Sequence, residues 1–144
     1  MTRTKQRVVV VPCSGIGKAL GSVSREAAYE LCENLRPHVT ELVALSKLVM
    51  GDNASRETVA RNPCVAIDGC QRSCASKLVK QSGGMRTHTA RVLDALRRHK
   101  GLKAEGIAEL NDAGQKLARV MAEELVETVD ALGASGAAKG ATYA

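Results

Sequence analysis

Cysteine is the residue type in this chain with the greatest capacity for metal binding or catalysis. Among its 144 residues are five cysteines, and three of them follow glycine or proline turns or start a helical pattern. Cys13 comes after an apolar run at 8–11, Cys70 comes after a second run at 64–68, and Cys74 follows four residues later. Thiolates bind metals and act as nucleophiles. The odd total argues against a fully paired disulfide framework.

Four segments are predicted to be strands. The runs at 8–11 and 64–68 are continuous and rich in β-branched residues, which is typical of strands buried on both faces of a parallel sheet. The second strand is predicted within 39–45, where a helix over 39–50 is the alternative. The fourth is predicted at 89–96, with a loop over 97–106 after it, although the segment lacks a clean period of two.

Helical patterns separate these strands. Ser22 is the predicted N-cap of a first helix that ends before Pro37. Strands that alternate with helices predict a single three-layer α/β domain with a parallel sheet of about four strands, of Rossmann-like or flavodoxin-like alternation. We expect the domain to span 1–132 and a flexible C-terminal tail to follow at 133–144. The predicted helices are 22–36, 55–61, 71–81 and 112–132.

The predicted topology brings three thiols to one edge of the sheet. In doubly wound sheets the first and third strands often lie side by side, and ligands bind outside the carboxyl ends of the strands. Neighbouring strands are about 4.8 Å apart, so Cys13 and Cys70 are expected to converge. If a helix begins near Cys70, Cys74 lies on the same helix face. Zinc takes four ligands in a tetrahedron, with zinc–sulfur bonds of about 2.3 Å, so this group predicts a metal site.

The other two cysteines are predicted to be buried small hydrophobic residues. Cys32 lies on the apolar face of the first helix, and Cys64 opens the third strand at the opposite end. Three further residues are expected to support the thiol site. Asp68 accepts N–H bonds or orients a neighbour, while Gly15 and Gly69 allow close backbone approach or positive φ.

The segments 8–15 (VVVVPCSG), 65–70 (VAIDGC) and 74–77 (CASK) together resemble the DGC-domain family. That family is named after its Asp-Gly-Cys turn, here at 68–70, and is described as zinc-binding because its pattern has four cysteines. Its function is not established. The resemblance spans roughly 8–84 and implies Cys13, Cys70 and Cys74 as zinc ligands.

The fourth ligand is the point at which this sequence departs from the family. The family's remaining cysteine usually ends the second strand, but here that stretch is 43–46 (VALS). His99 is one substitute, because the predicted loop after the fourth strand places it at the same edge. Water or a small ligand is the other, as in catalytic zinc sites.

Two other functions stay open at this stage. The first is a thiol-based redox or sulfur-transfer enzyme with Cys13 as nucleophile and Cys70 or Cys74 resolving. The second is anion or nucleotide binding by 15–18 (GIGK), a partial match to a P-loop that has Ala19 where Ser or Thr is needed. A bare scaffold or partner-binding domain fits the sequence as well.

The composition limits which partners and which cellular location we expect. The formal charge of +6 allows a nucleic-acid interface, but the chain has no Trp or Phe for base stacking, so we do not expect one. No stretch approaches the roughly 18 apolar residues of a membrane span. The four valines at 8–11 are also too few for a signal peptide, so a cytoplasmic protein is expected. Homo-oligomer formation stays open.

Overall fold

The computed structural model describes residues 7–14, 18–106 and 108–142, with side chains described up to residue 134. Four parallel strands form one sheet in the order β2-β1-β3-β4. The first and third strands are therefore neighbours, as predicted. The strands are β1 (Val8–Pro12), β2 (Thr40–Leu42), β3 (Cys64–Asp68) and β4 (Thr87–Arg91).

Six α-helices connect and cover these strands in the described residues. The first continues into a π-helical segment, Glu30–Leu35, where the N–H of Arg36 donates to the carbonyl of Leu31 at 2.8 Å. The helices are α1 (Ala19–Tyr29), α2 (Leu45–Met50), α3 (Asn53–Arg61), α4 (Cys74–Gln81), α5 (Val92–Arg98) and α6 (Asp112–Thr142).

The two central strands are buried on both faces, which explains their continuous apolar sequences. Val8 and Val10 point into a core formed with α1, α5 and α6, whereas Val9 and Val11 point into a second core formed with α2, α3 and α4. Every residue of β1 and β3 is buried. The expected three-layer α/β domain is confirmed: helices pack on each face of one parallel sheet.

Several predicted boundaries were wrong. Helix α1 begins at Ala19, because the extended backbone of Lys18 ends the preceding loop there and its carbonyl accepts from the N–H groups of Gly21 and Ser22. Ser22 is therefore inside the helix and is not its N-cap. Strand β4 ends at Arg91, and the chain then forms α5 where strand and loop were predicted.

Helix α6 extends from Asp112 to Thr142, beyond the predicted end at Leu132. Its buried face packs on α1, on the π-helical segment and on α5. Arg36, just after that segment, forms an ion pair of 2.8 Å with Asp130 of α6. The domain boundary at residue 132 and the flexibility of 133–144 stay predictions. No helix in the described ranges is both long and apolar enough to cross a membrane.

Candidate metal centre

Cys13 lies at the carboxyl edge of the sheet, directly after β1. Its N–H donates to the carbonyl of Ile67 in β3 at 2.8 Å, which continues the β1–β3 ladder by one residue. The carbonyl of Cys13 accepts from the buried hydroxyl of Ser24 in α1 at 3.1 Å. The side chain is only 8% exposed. Cys13 is thus fixed beside the strand that leads into the Asp68-Gly69-Cys70 turn.

Arg25 of α1 holds the start of the next loop. Its guanidinium donates to the carbonyl of Ser14 and, at 3.2 Å, to the hydroxyl of Ser22. Together with Ser24, it fixes two successive carbonyl groups after β1. Gly15, which was also predicted to support the site, lies outside the described residues.

Asp68 ends β3 and is fully buried. One carboxylate oxygen accepts from the N–H groups of Ala75 and Ser76 at 2.9 and 3.3 Å, and the other accepts from the Ser76 hydroxyl at 2.7 Å. These donors belong to the first turn of α4. The buried carboxylate is therefore stabilised by N–H groups that have no partner within the helix and by the positive end of the helix dipole. Asp68 caps α4 from seven residues away.

Gly69 is needed for close packing. A Cβ atom at this position would lie 3.1 Å from the backbone of Leu20 and Gly21, in the first turn of α1. The backbone of the turn therefore lies close against α1 at this position. It brings the turn that carries Cys70 against the helix that follows Cys13.

Replacing Gly69 with alanine is expected to lower the free energy of unfolding by about 1–3 kcal/mol, the usual cost of overpacking. The added methyl group would meet backbone atoms that cannot rotate away. Urea denaturation measures the loss. Gly101→Ala is the matched control, because a Cβ there meets nothing within 4 Å, and its effect should stay within about 0.5 kcal/mol. Equal stability of the two variants would show that the turn does not pack against α1.

The segment between Cys70 and Cys74 is a turn, and the helix begins only at Cys74. The argument that both cysteines share one helix face required a helix from near Cys70 and was therefore wrong, because α4 begins at Cys74, where Asp68 caps its first turn. Ser73 has a φ of 55°, in the left-handed region. In the resulting turn Cys70 is half-buried and Cys74 is exposed.

His99 does not lie in a loop directly after the fourth strand. It follows α5, and its Nε2 is 2.7 Å from a carboxylate oxygen of Glu124 in α6. Arg98 donates to the other oxygen of Glu124 at 2.7 Å. Burial raises the pKa of Glu124, but hydrogen bonds from His99 and Arg98 outweigh this effect and leave it below its ordinary value. The ring of His99 is thus engaged in holding α5 to α6, and the reason for expecting it as a ligand is lost.

The two remaining cysteines behave as core residues. Cys64 is fully buried in the core beneath α2, α3 and α4, and burial raises the pKa of its thiol to about 11. Cys32 packs at the margin of the other core, and burial raises its pKa as well. Both thiols are held in the neutral form, which disfavours metal binding.

The three candidate cysteines therefore lie at the same edge of the sheet, but they do not form a complete set of metal ligands. Cys13, Cys70 and Cys74 all follow the carboxyl ends of β1 and β3. Within the described ranges, however, no three His, Cys, Asp or Glu side chains lie close enough to hold a metal ion. None of the five cysteines, all of which are described, forms a disulfide.

Sequence reasoning missed the side chains that support this edge. Ser24 and Arg25 bind carbonyl groups eleven residues earlier in the chain, and Ser76 binds a carboxylate eight residues earlier. No local spacing marks such contacts, because they depend on how α1 and α4 pack on the sheet. The one available signal is the small, polar character of Ser24 and Ser76 within otherwise amphipathic helices.

Of three comparisons with known proteins, one gave a match. A search of curated proteins and a search of solved structures gave no match. The family model for the DGC domain matches residues 9–129, which is well over half of the chain. The match includes β1 from its second residue, the whole of β3, the Asp68-Gly69-Cys70 turn and more than half of α6. This chain belongs to the DGC-domain family.

Proposed function

We propose that this protein binds zinc through Cys13, Cys70 and Cys74 at the carboxyl edge of its sheet. The observation that carries the proposal is the 2.8 Å hydrogen bond from the N–H of Cys13 to Ile67. It joins the end of β1 to the strand that leads, three residues later, to Cys70. Thiolates are the ligands that structural zinc sites prefer.

The site is not preformed, so binding must be accompanied by movement of the turn 70–73. Both ends of this turn are anchored, by Gly69 against α1 and by Asp68 at the start of α4. Between them, the turn is held by weaker bonds: the N–H of Ser73 donates to Cys70, and its hydroxyl donates to Gln71, each at 3.3 Å. A left-handed serine also costs about 1–2 kcal/mol. This short segment can therefore rearrange while the fold around it stays fixed.

The fourth ligand in this proposal is water or a small molecule, since His99 is paired with Glu124. Zinc sites with three protein ligands keep such an open position. Reduced thiols require a reducing compartment, which is consistent with the proposed cytoplasmic location. Among the described residues, Cys13 forms hydrogen bonds only through its backbone N–H and carbonyl, and the residue is 8% exposed. These described contacts do not favour it as an enzymatic nucleophile.

Metal analysis of the untagged protein tests the proposal. Mass spectrometry should find about one zinc ion per chain, and about three thiols should become titratable only after chelation. Co²⁺ in place of zinc should give a thiolate-to-metal charge-transfer band. Zinc should also raise the melting temperature, since a ligand that binds only the native state stabilises it.

Single substitutions distinguish the proposed zinc ligands from the cysteines of the core. Cys70→Ser and Cys74→Ser should each weaken zinc binding at least about tenfold, a loss seen even for residues that only orient a ligand. Cys32→Ser is the matched control and should leave zinc affinity unchanged. A zinc-free protein with freely titrating Cys70 and Cys74 would overturn the proposal. One fast-reacting thiol without metal would instead indicate the thiol enzyme.

A further inference from the structure

Strand β4 is one of the two edge strands of the sheet and is unlike the strands inside it. Among the described residues it pairs only with β3, and its sequence Thr87–Arg91 (THTAR) is polar. His88, Thr89 and Arg91 are exposed, whereas every residue of β3 is buried. Exposed edge strands carry unpaired N–H and C=O groups that template pairing with another chain.

The register identifies the unpaired backbone groups. The N–H of Cys64 donates to the carbonyl of Arg86 at 2.9 Å, and Cys64 lies opposite Thr87. In a parallel ladder, alternate residues direct both of their backbone groups to one neighbour. Arg86, His88 and Ala90 therefore face β3. The backbone groups of Thr87 and Thr89 and the N–H of Arg91 face the open edge, whereas the carbonyl of Arg91 begins the hydrogen bonding of α5.

A cleft of about 330 Å³ lies between α4 and this edge. Lys77 and Lys80 line it on the α4 side, Thr87 and Thr89 line it on the strand side, and Met85 lies at its rim with 89% of its surface exposed. No carboxylate is among the described residues that line the cleft, and the ion pairs between described residues include neither lysine. The cleft is thus cationic with one apolar side chain.

The hydroxyl of Thr87 is a second, independent sign of an absent partner. It is buried, yet among the described residues it has no hydrogen-bond partner. A buried polar group without a partner is destabilising. Because Thr87 lines the cleft, rotation of its side chain would bring this hydroxyl to a group placed beside β4.

We propose that β4 and the cleft beside it bind an acidic peptide segment of a partner protein, which adds to the sheet as a fifth strand. Main-chain hydrogen bonds to Thr87, Thr89 and Arg91 provide affinity, and side chains in the cleft provide selectivity. Alternate side chains of a strand are about 6.6 Å apart. Lys77 and Lys80, three positions apart on one helix, have a similar spacing, so two alternate carboxylates can pair with them.

Charge favours this occupant over a second copy of the chain. A symmetric dimer through β4 would place the α4 helices of the two copies side by side on one face of the joined sheet. It would thereby bring Lys77 and Lys80 of both copies together, and like charges in contact oppose association. Carboxylates in the same position neutralise these lysines instead.

Fluorescence anisotropy with defined peptides tests the proposal. The probe is a labelled, end-blocked pentapeptide of alternating glutamate and valine, and the comparison peptides carry lysine for glutamate or N-methyl groups on alternate amides. Only the unmodified acidic peptide should bind. Its affinity should fall at least about tenfold on N-methylation, since the peptide then loses its main-chain bonds, and it should weaken with salt.

Variants localise the binding. Lys77→Glu with Lys80→Glu should lower peptide affinity about tenfold or more, whereas Lys100→Glu with Lys116→Glu, an equal charge change outside the cleft, should have little effect. Thr89→Pro removes an outward N–H and is tolerable on an edge strand, so it should abolish binding.

Three results would overturn the inference: equal binding of the acidic and lysine peptides, retention of affinity on N-methylation, or equal effects of the two charge pairs. The N-methyl comparison uses the unaltered protein and so holds even if Thr89→Pro does not fold. Sedimentation of the unaltered protein as a dimer that Thr89→Pro converts to a monomer would identify a second copy as the occupant. None of these outcomes depends on zinc.

Discussion

The Asp68→Ala variant is expected to lose about 2–4 kcal/mol of unfolding free energy, because a buried donor left without its acceptor costs about 1–3 kcal/mol. The carboxylate accepts from two N–H groups and one hydroxyl in the first turn of α4, and all its surface is buried. The Ser76 hydroxyl also reaches the Ser73 carbonyl at 3.1 Å, but the N–H groups of Ala75 and Ser76 have no other acceptor among the described residues. Urea denaturation with an unchanged m-value measures the loss.

Asp52→Ala is the control for this prediction. Asp52 caps α3 through the N–H and hydroxyl of Ser55 at 3.0 and 2.6 Å, and these bonds lower its pKa. An ordinary N-cap of this kind contributes about 1 kcal/mol. If both variants lose the same stability, Asp68 acts as a simple helix cap, and the importance of its burial is refuted.

The Leu117→Ala variant is expected to lose about 2–5 kcal/mol, which is the range for removing a large aliphatic side chain from a core. Leu117 is 0% exposed in the core between α6, α1 and the sheet. The chain has no Phe or Trp, so its core depends on side chains of this size. Chemical denaturation of the purified variant provides the measurement.

Val49→Ala is the comparison on the surface. Val49 is 68% exposed in α2, so its loss should change stability by no more than about 0.5 kcal/mol. A similarly small change for Leu117→Ala would mean that α6 contributes little to the core.

The interior of this fold was predictable because burial on both faces leaves a continuous apolar run. The segment 64–68 has the predicted bounds, and 8–11 differs from β1 by one residue. Strand β4 was less predictable, since its edge position permits the polar sequence THTAR. The composition of the following residues, Val92–Arg98, fits either a strand or a helix. Packing against α6 and the sheet favours the helix, α5.

The candidate site was predictable in its position and not in its detail. Strand order alone placed Cys13 near the turn that contains Cys70. The start of α4 depends on Asp68 reaching across to Ala75, a contact between two parts of the fold that helix periodicity does not encode. The position of His99 depended on a loop that is α5 in the structure. Both differences arose where tertiary contacts outweigh local pattern.

The commitment of Asp68 to α4 bears on which cations could be accepted at this edge. A carboxylate that already accepts three bonds has little capacity left for the oxygen-rich coordination that magnesium and calcium demand. An ion beside Cys13 and Cys70 would have to be held largely by sulfur. Soft, thiophilic ions would then be favoured over hard ones, so selectivity would be set by a carboxylate that binds no metal.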